Sequence, residues 1–95
     1  MTSIIGSRAS GKTEKLMEWA NENNAIIICA NPQHFLTIAR MKGFSNVRFA
    51  SYNELFNNDY SKETIYIDEM AKCMEYYIKH YTDNNFVGYT LTTED

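Results

Sequence analysis

Apolar residues come along this chain in short runs that alternate with stretches of helical spacing. Residues 2–5 (Thr-Ser-Ile-Ile) form a partly β-branched run, and residues 13–21 carry Leu16 and Ala20 one turn apart on a helical face. Residues 25–30 are a continuous apolar run of a strand's length. They end at Asn31-Pro32, an N-cap followed by a first helical residue, and Gly43 supplies the stop for a helix that buries Phe35, Ile38 and Ala39. Residues 46–50 predict a third strand. Ser51 and Glu54 have capping-box spacing and open a short helix with Leu55 and Phe56. After a polar loop over 57–63, residues 64–69 predict a fourth strand. Met70, Cys73, Met74, Tyr77, Ile78 and Tyr81 then recur at helical spacing, which predicts a core face against the sheet. His80 falls off that stripe as a surface residue, and His34 opens its helix without a chemical role. Asp83-Asn84-Asn85 is a turn before a last strand over 86–92. Such alternation predicts a single α/β domain over 1–95, with a parallel sheet and right-handed crossovers.

The chemistry concentrates between the first strand and the first helix. Gly6, Ser7, Arg8, Ala9, Ser10, Gly11, Lys12 and Thr13 fit the G-x-x-x-x-G-K-[ST] pattern without a gap. Gly6 and Gly11 let the backbone turn tightly against an anion, since no Cβ intervenes. The turned loop aims successive N–H groups inward, and the helix that follows adds the positive end of its dipole. Lys12 then reaches the β- and γ-phosphates of a nucleotide, and the Thr13 hydroxyl holds Mg²⁺. Two readings of Arg8 stand side by side, a phosphate contact in cis and a solvent-facing residue.

A second element agrees. Residues 64–69 (Thr-Ile-Tyr-Ile-Asp-Glu) are β-forming and end in two acids, which a parallel sheet delivers to its ligand edge. Asp68 joins the Mg²⁺ shell through water, and Glu69 serves as general base on an attacking water. Capping of the following helix by Asp68 is the alternative, and both can hold at once.

With these residues in place, GSRASGKT followed by IYIDE resembles the P-loop NTPases whose Walker B strand ends in Asp-Glu, a division that includes helicases, recombinases and DNA-packaging motors. Residues 86–92 are similar to the helicase strand that ends in Ser/Thr-Ala-Thr, with Leu91 standing in place of Ala. The resemblance implies that Thr90 and Thr92 sense the γ-phosphate. It implies a three-layer α/β/α fold with a five-stranded parallel sheet in the order 3-2-4-5-1, with the sensor strand between the P-loop and Walker B strands. It also implies ATP and Mg²⁺ as ligands. Size and layout further resemble the small P-loop proteins of bacteriophages.

Composition narrows the field. The 95 residues carry a net charge of −3, 44% hydrophobic and 14% aromatic residues, which is the balance of a globular domain. No basic run supplies the several cations that non-specific nucleic-acid binding needs. A local patch of Arg40, Lys42 and Arg48 remains as an alternative to a solvated helix end. No apolar stretch approaches the ~20 residues of a membrane span. The two cysteines, Cys29 and Cys73, read as buried free thiols in a reducing cytoplasm, that of a bacterial host under the bacteriophage resemblance.

Three functional expectations follow. The first is a slow ATPase, completed by a protein partner or by self-association, because the chain stops just after the sensor strand and lacks the second domain that brings an arginine finger. The second is a nucleotide-binding interaction module without significant turnover. The third is a small nucleoside or nucleotide kinase, which needs a lid that this chain has no residues left to build. Strand 2–5 is expected to be an exposed sheet edge, a natural docking point for such a partner.

Overall fold

The computed structural model describes residues 11–58, 60 and 62–91. Among these residues, four helices surround a parallel sheet in the order α1 (Lys12–Asn23), β1 (Ile26–Cys29), α2 (Pro32–Met41), β2 (Arg48–Ser51), α3 (Tyr52–Asn57), β3 (Ile65–Ile67) and α4 (Met70–Tyr81). The described sheet has three strands in the order β2-β1-β3. Central β1 pairs in parallel with both neighbours, so that Ile27 stands beside Phe49 and Tyr66, and Ile28 beside Ala50 and Ile67.

That register explains the core. All four residues of β1 are buried, as a central parallel strand covered on both faces requires. Side chains alternate across the pleat. Ala25, Ile27 and Cys29 face Leu16, Met17 and Ala20 of α1 and Ala39 of α2, while Ile26 and Ile28 face Tyr52 and Cys73 from α3 and α4. Each face thus has its own apolar cluster.

Local signals set the helix ends. Asn31 Oδ1 accepts from the His34 amide at 3.3 Å, and Pro32 occupies the first turn of α2. Ser51 and Glu54 form a reciprocal capping box, with the Glu54 amide donating to Ser51 Oγ at 3.1 Å and the Ser51 amide donating to Glu54 Oε1 at 3.2 Å.

The five-stranded, three-layer P-loop sheet expected above is not what the chain forms: among the described residues the sheet has three strands. Strand 2–5 lies outside the described residues. Residues 86–91 are described and form no strand. Val87 is 93% exposed and Tyr89 65%, and Phe86 stacks on nearby Tyr89 at 6.0 Å between ring centroids. β-forming residues make a strand only where an edge accepts them, and among the described residues this segment pairs with none.

The α4 stripe is corrected too. Only Cys73 is buried in that helix, while Met70 is 54% exposed and Met74, Tyr77 and Tyr81 are exposed as well. The cause is the width of the sheet. β3 pairs with β1 alone among the described residues, so no described strand lies beneath the outer half of α4. Its aromatic contacts turn sideways to α3 instead, where Phe56 meets Tyr77 at 5.0 Å and Tyr81 at 5.6 Å.

Candidate functional site

The start of α1 and the end of β3 meet at the carboxyl edge of the sheet. Gly11 caps α1 in the left-handed region at φ 79°. At that positive φ an L side chain is strained, so the need for glycine is conformational. The next two residues, Lys12 and Thr13, are half-buried in the first turn of α1. β3 ends at Ile67, and the Asp68 amide still donates to the Ile28 carbonyl at 2.9 Å, which holds Asp68 against the central strand.

Asp68 is where these elements converge. Burial raises its carboxyl above the usual carboxylate range, and neighbouring Glu69 raises it further. Opposing them are the Lys12 ammonium, a hydrogen bond from the Thr13 hydroxyl, and Lys72. Lys12, Thr13 and Asp68, separated by more than fifty positions in the chain, therefore share one site.

Glu69 follows in the left-handed region at φ 58°, a conformation few non-glycine residues adopt. It is the N-cap of α4, but its side chain makes no capping hydrogen bond, and the residue is exposed. Asp68 does not cap α4 either, so neither acid is committed to the helix end. Gly6, Ser7, Arg8, Ala9, Ser10 and Thr92 lie outside the described residues. Thr90 is described and lies in the exposed segment after α4.

Two site residues escaped the sequence reading. Tyr52, the first residue of α3, donates its hydroxyl to the Asp68 carbonyl at 2.9 Å and approaches that of Glu69 at 3.4 Å. It is 7% exposed, and burial raises its hydroxyl well above the ordinary tyrosine value, with Asp68 adding to the effect. No motif announces a tyrosine sixteen positions upstream. Lys72 did have a signal, since it stands four positions after Asp68 at the opening of a helix, within one turn of the site.

Two of the three residues in the alternative basic patch are paired with acids. Arg48 pairs bidentately with Glu63, at 3.0 and 3.4 Å, and donates to the Asn24 carbonyl, while Lys42 pairs with Glu14 at 3.3 Å.

No group of three or more His, Cys, Asp or Glu side chains gathers among the described residues to cage a metal. No described helix is long and apolar enough to cross a membrane. No family model matches the chain, and neither curated proteins nor solved structures yield a match.

Proposed function

We propose that this protein binds a nucleoside triphosphate, ATP by default, with Mg²⁺ at the carboxyl edge of the sheet, and hydrolyses it slowly with help from a protein partner. One observation carries the reading: Thr13, Lys12 and Asp68 share a site at the start of a helix capped by a left-handed glycine. The donor set suits the ligand. Lys12 offers a point charge to phosphate oxygens, and the first turn of α1 offers unpaired amides. Mg²⁺ keeps several waters and takes one or two carboxylates plus phosphate oxygens, so one hydroxyl and one carboxylate are a fitting protein share. Mg²⁺ neutralises charge on the phosphates. Glu69, exposed and free of capping duty, would then orient and deprotonate an attacking water.

A second reading, an interaction module in which the nucleotide only sets conformation, is favoured by the exposed apolar residues of α4 and the segment after it. Cys29 and Cys73 are free and buried, which fits a reducing cytoplasm.

The test is a melting series. A ligand that binds only the folded chain stabilises it by about 2.7 kcal/mol at a hundredfold excess over Kd. Wild type with Mg-ATP should shift upward, and Lys12→Ala should lose most of the shift. Absence of any shift at millimolar nucleotide in the wild type ends the proposal.

A further inference from the structure

A crevice of about 470 Å³ opens beside the phosphate site, between the start of α3 and the outer turns of α4. Its size lies within the range of small-molecule pockets. Lys72, at one end, lies close enough to Asp68 to act on its charge, so the crevice begins where the phosphate site stops. Seven residues along α4, about 10 Å at 1.5 Å per residue, Lys79 lines the same crevice. Neither lysine forms an ion pair among the described residues, and both are exposed.

Between the lysines the wall is aromatic. The rings of Tyr76 and His80 lie 4.2 Å apart at a tilt of 35°, and buried Tyr52 lies behind them at 6.2 Å from Tyr76. The Tyr76 hydroxyl donates to Asn53 Oδ1 at 3.1 Å, which leaves the Asn53 amide nitrogen free of partners among the described residues. Glu75 adds an acceptor. A lysine without an ion pair among the described residues at one end, an aromatic surface beyond it and amide and carboxylate groups beside that surface describe a ligand with an anionic group, a planar ring and ring-edge donors and acceptors.

We propose that this crevice binds a nucleoside monophosphate, its phosphate at Lys72 and its base against Tyr76 and His80. The inference rests on the proposed function for its biological sense, since it sets a second phosphate-bearing ligand beside the first. Binding in the crevice is nevertheless measurable by itself.

The experiment follows the ring signals of His80 and Tyr76 by NMR while adenosine or thymidine monophosphate is titrated without Mg²⁺. Expected are saturable shifts of both rings, at least tenfold weaker binding in the double variant Lys72→Ala, Lys79→Ala, and affinity within twofold of wild type in Lys12→Ala. Both substituted lysines are exposed, and unchanged circular dichroism confirms folding; His80→Ala provides a second exposed variant, also expected to weaken binding. Inorganic phosphate and the free nucleosides serve as control arms and should each bind more weakly than the monophosphate. Absence of ring shifts, equal affinity in the double-lysine variant, or inorganic phosphate binding as tightly as the monophosphate overturns the proposal. Loss of binding in Lys12→Ala also overturns it, because the monophosphate then occupies the triphosphate site. Loss of the Mg-ATP melting shift together with intact monophosphate binding would instead reject the proposed function alone.

Discussion

Replacing Tyr52 by Phe removes one oxygen and keeps the ring, so it isolates the hydrogen bond that ties α3 to the turn between β3 and α4. In the folded chain that hydroxyl donates to the Asp68 carbonyl at 2.9 Å. The Glu69 carbonyl has a second partner, the Cys73 amide at 3.1 Å, so the loss falls on Asp68. A typical hydrogen bond contributes about 0.5–1.5 kcal/mol, and a buried group left unpaired costs about 1–3 kcal/mol. Tyr52 is buried, which places the change at about 1–2 kcal/mol. For a domain of this size that lowers Tm by roughly 4–16 °C. Tyr76→Phe is the matched control, because the Tyr76 hydroxyl bonds to Asn53 in an exposed setting and should cost under about 0.5 kcal/mol. Thermal melts followed by circular dichroism read both. Amide exchange should accelerate at Asp68 to Cys73 in Tyr52→Phe, and the stabilisation by Mg-ATP should shrink as the Asp68 carboxyl loses its fixed position. A Tyr52→Phe protein that melts within 1 °C of wild type, with unchanged exchange in that turn, would refute this role for Tyr52.

Three further outcomes are expected. Ile28, fully buried on central β1, should cost about 2–5 kcal/mol as Ile28→Ala in urea unfolding, and a loss under about 1 kcal/mol would contradict the core described here. Burial, helped by Asp68 and Glu54 and opposed by a hydrogen bond from the Asn31 backbone, pushes the Cys29 thiol from 9.0 up to about 12; the fold prefers the neutral form, so this stability is complete below pH 9 and drains away toward pH 12 at about 1.4 kcal/mol per pH unit, and urea midpoints should fall less steeply with pH in Cys29→Ala. Glu69→Gln should retain the Mg-ATP melting shift and lose turnover, whereas hydrolysis at the wild-type rate would remove Glu69 as the base and move the interaction-module reading ahead.

What the sequence disclosed depended on how locally each feature is encoded. The capping box at Ser51 and Glu54, the Asn31-Pro32 start of α2 and the apolar run of β1 are written within a few residues, and each appears where its chemistry predicts. The strand expected over 86–92 rests on β-forming residues and on a resemblance. Neither carries information about whether an edge is there to receive it, and the described residues 87–91 are exposed and form no strand. The α4 stripe failed for the same reason. Helical spacing identifies an apolar face, but how much of that face is covered depends on the width of the sheet, a tertiary quantity. Tyr52 was invisible because its partner is a backbone carbonyl, and carbonyls leave no mark in a sequence.

The narrower sheet changes what the site depends on. Convergence of Lys12, Thr13 and Asp68 needs α1 laid against β3, and that packing is secured within the described residues. The Asn23 side chain donates to the Tyr66 hydroxyl at 3.2 Å, and Trp19 meets the Tyr66 ring at 6.1 Å, which fixes the far end of α1 on β3. At the near end Lys12 and Thr13 come close enough to the Asp68 carboxyl to lower its proton affinity. With its far end pinned to β3, α1 aims its first turn at the carboxyl edge. The proposed phosphate chemistry therefore stands or falls on this helix–strand pair and on the Tyr52 hydroxyl behind it, and it survives the correction of the sheet from five strands to three.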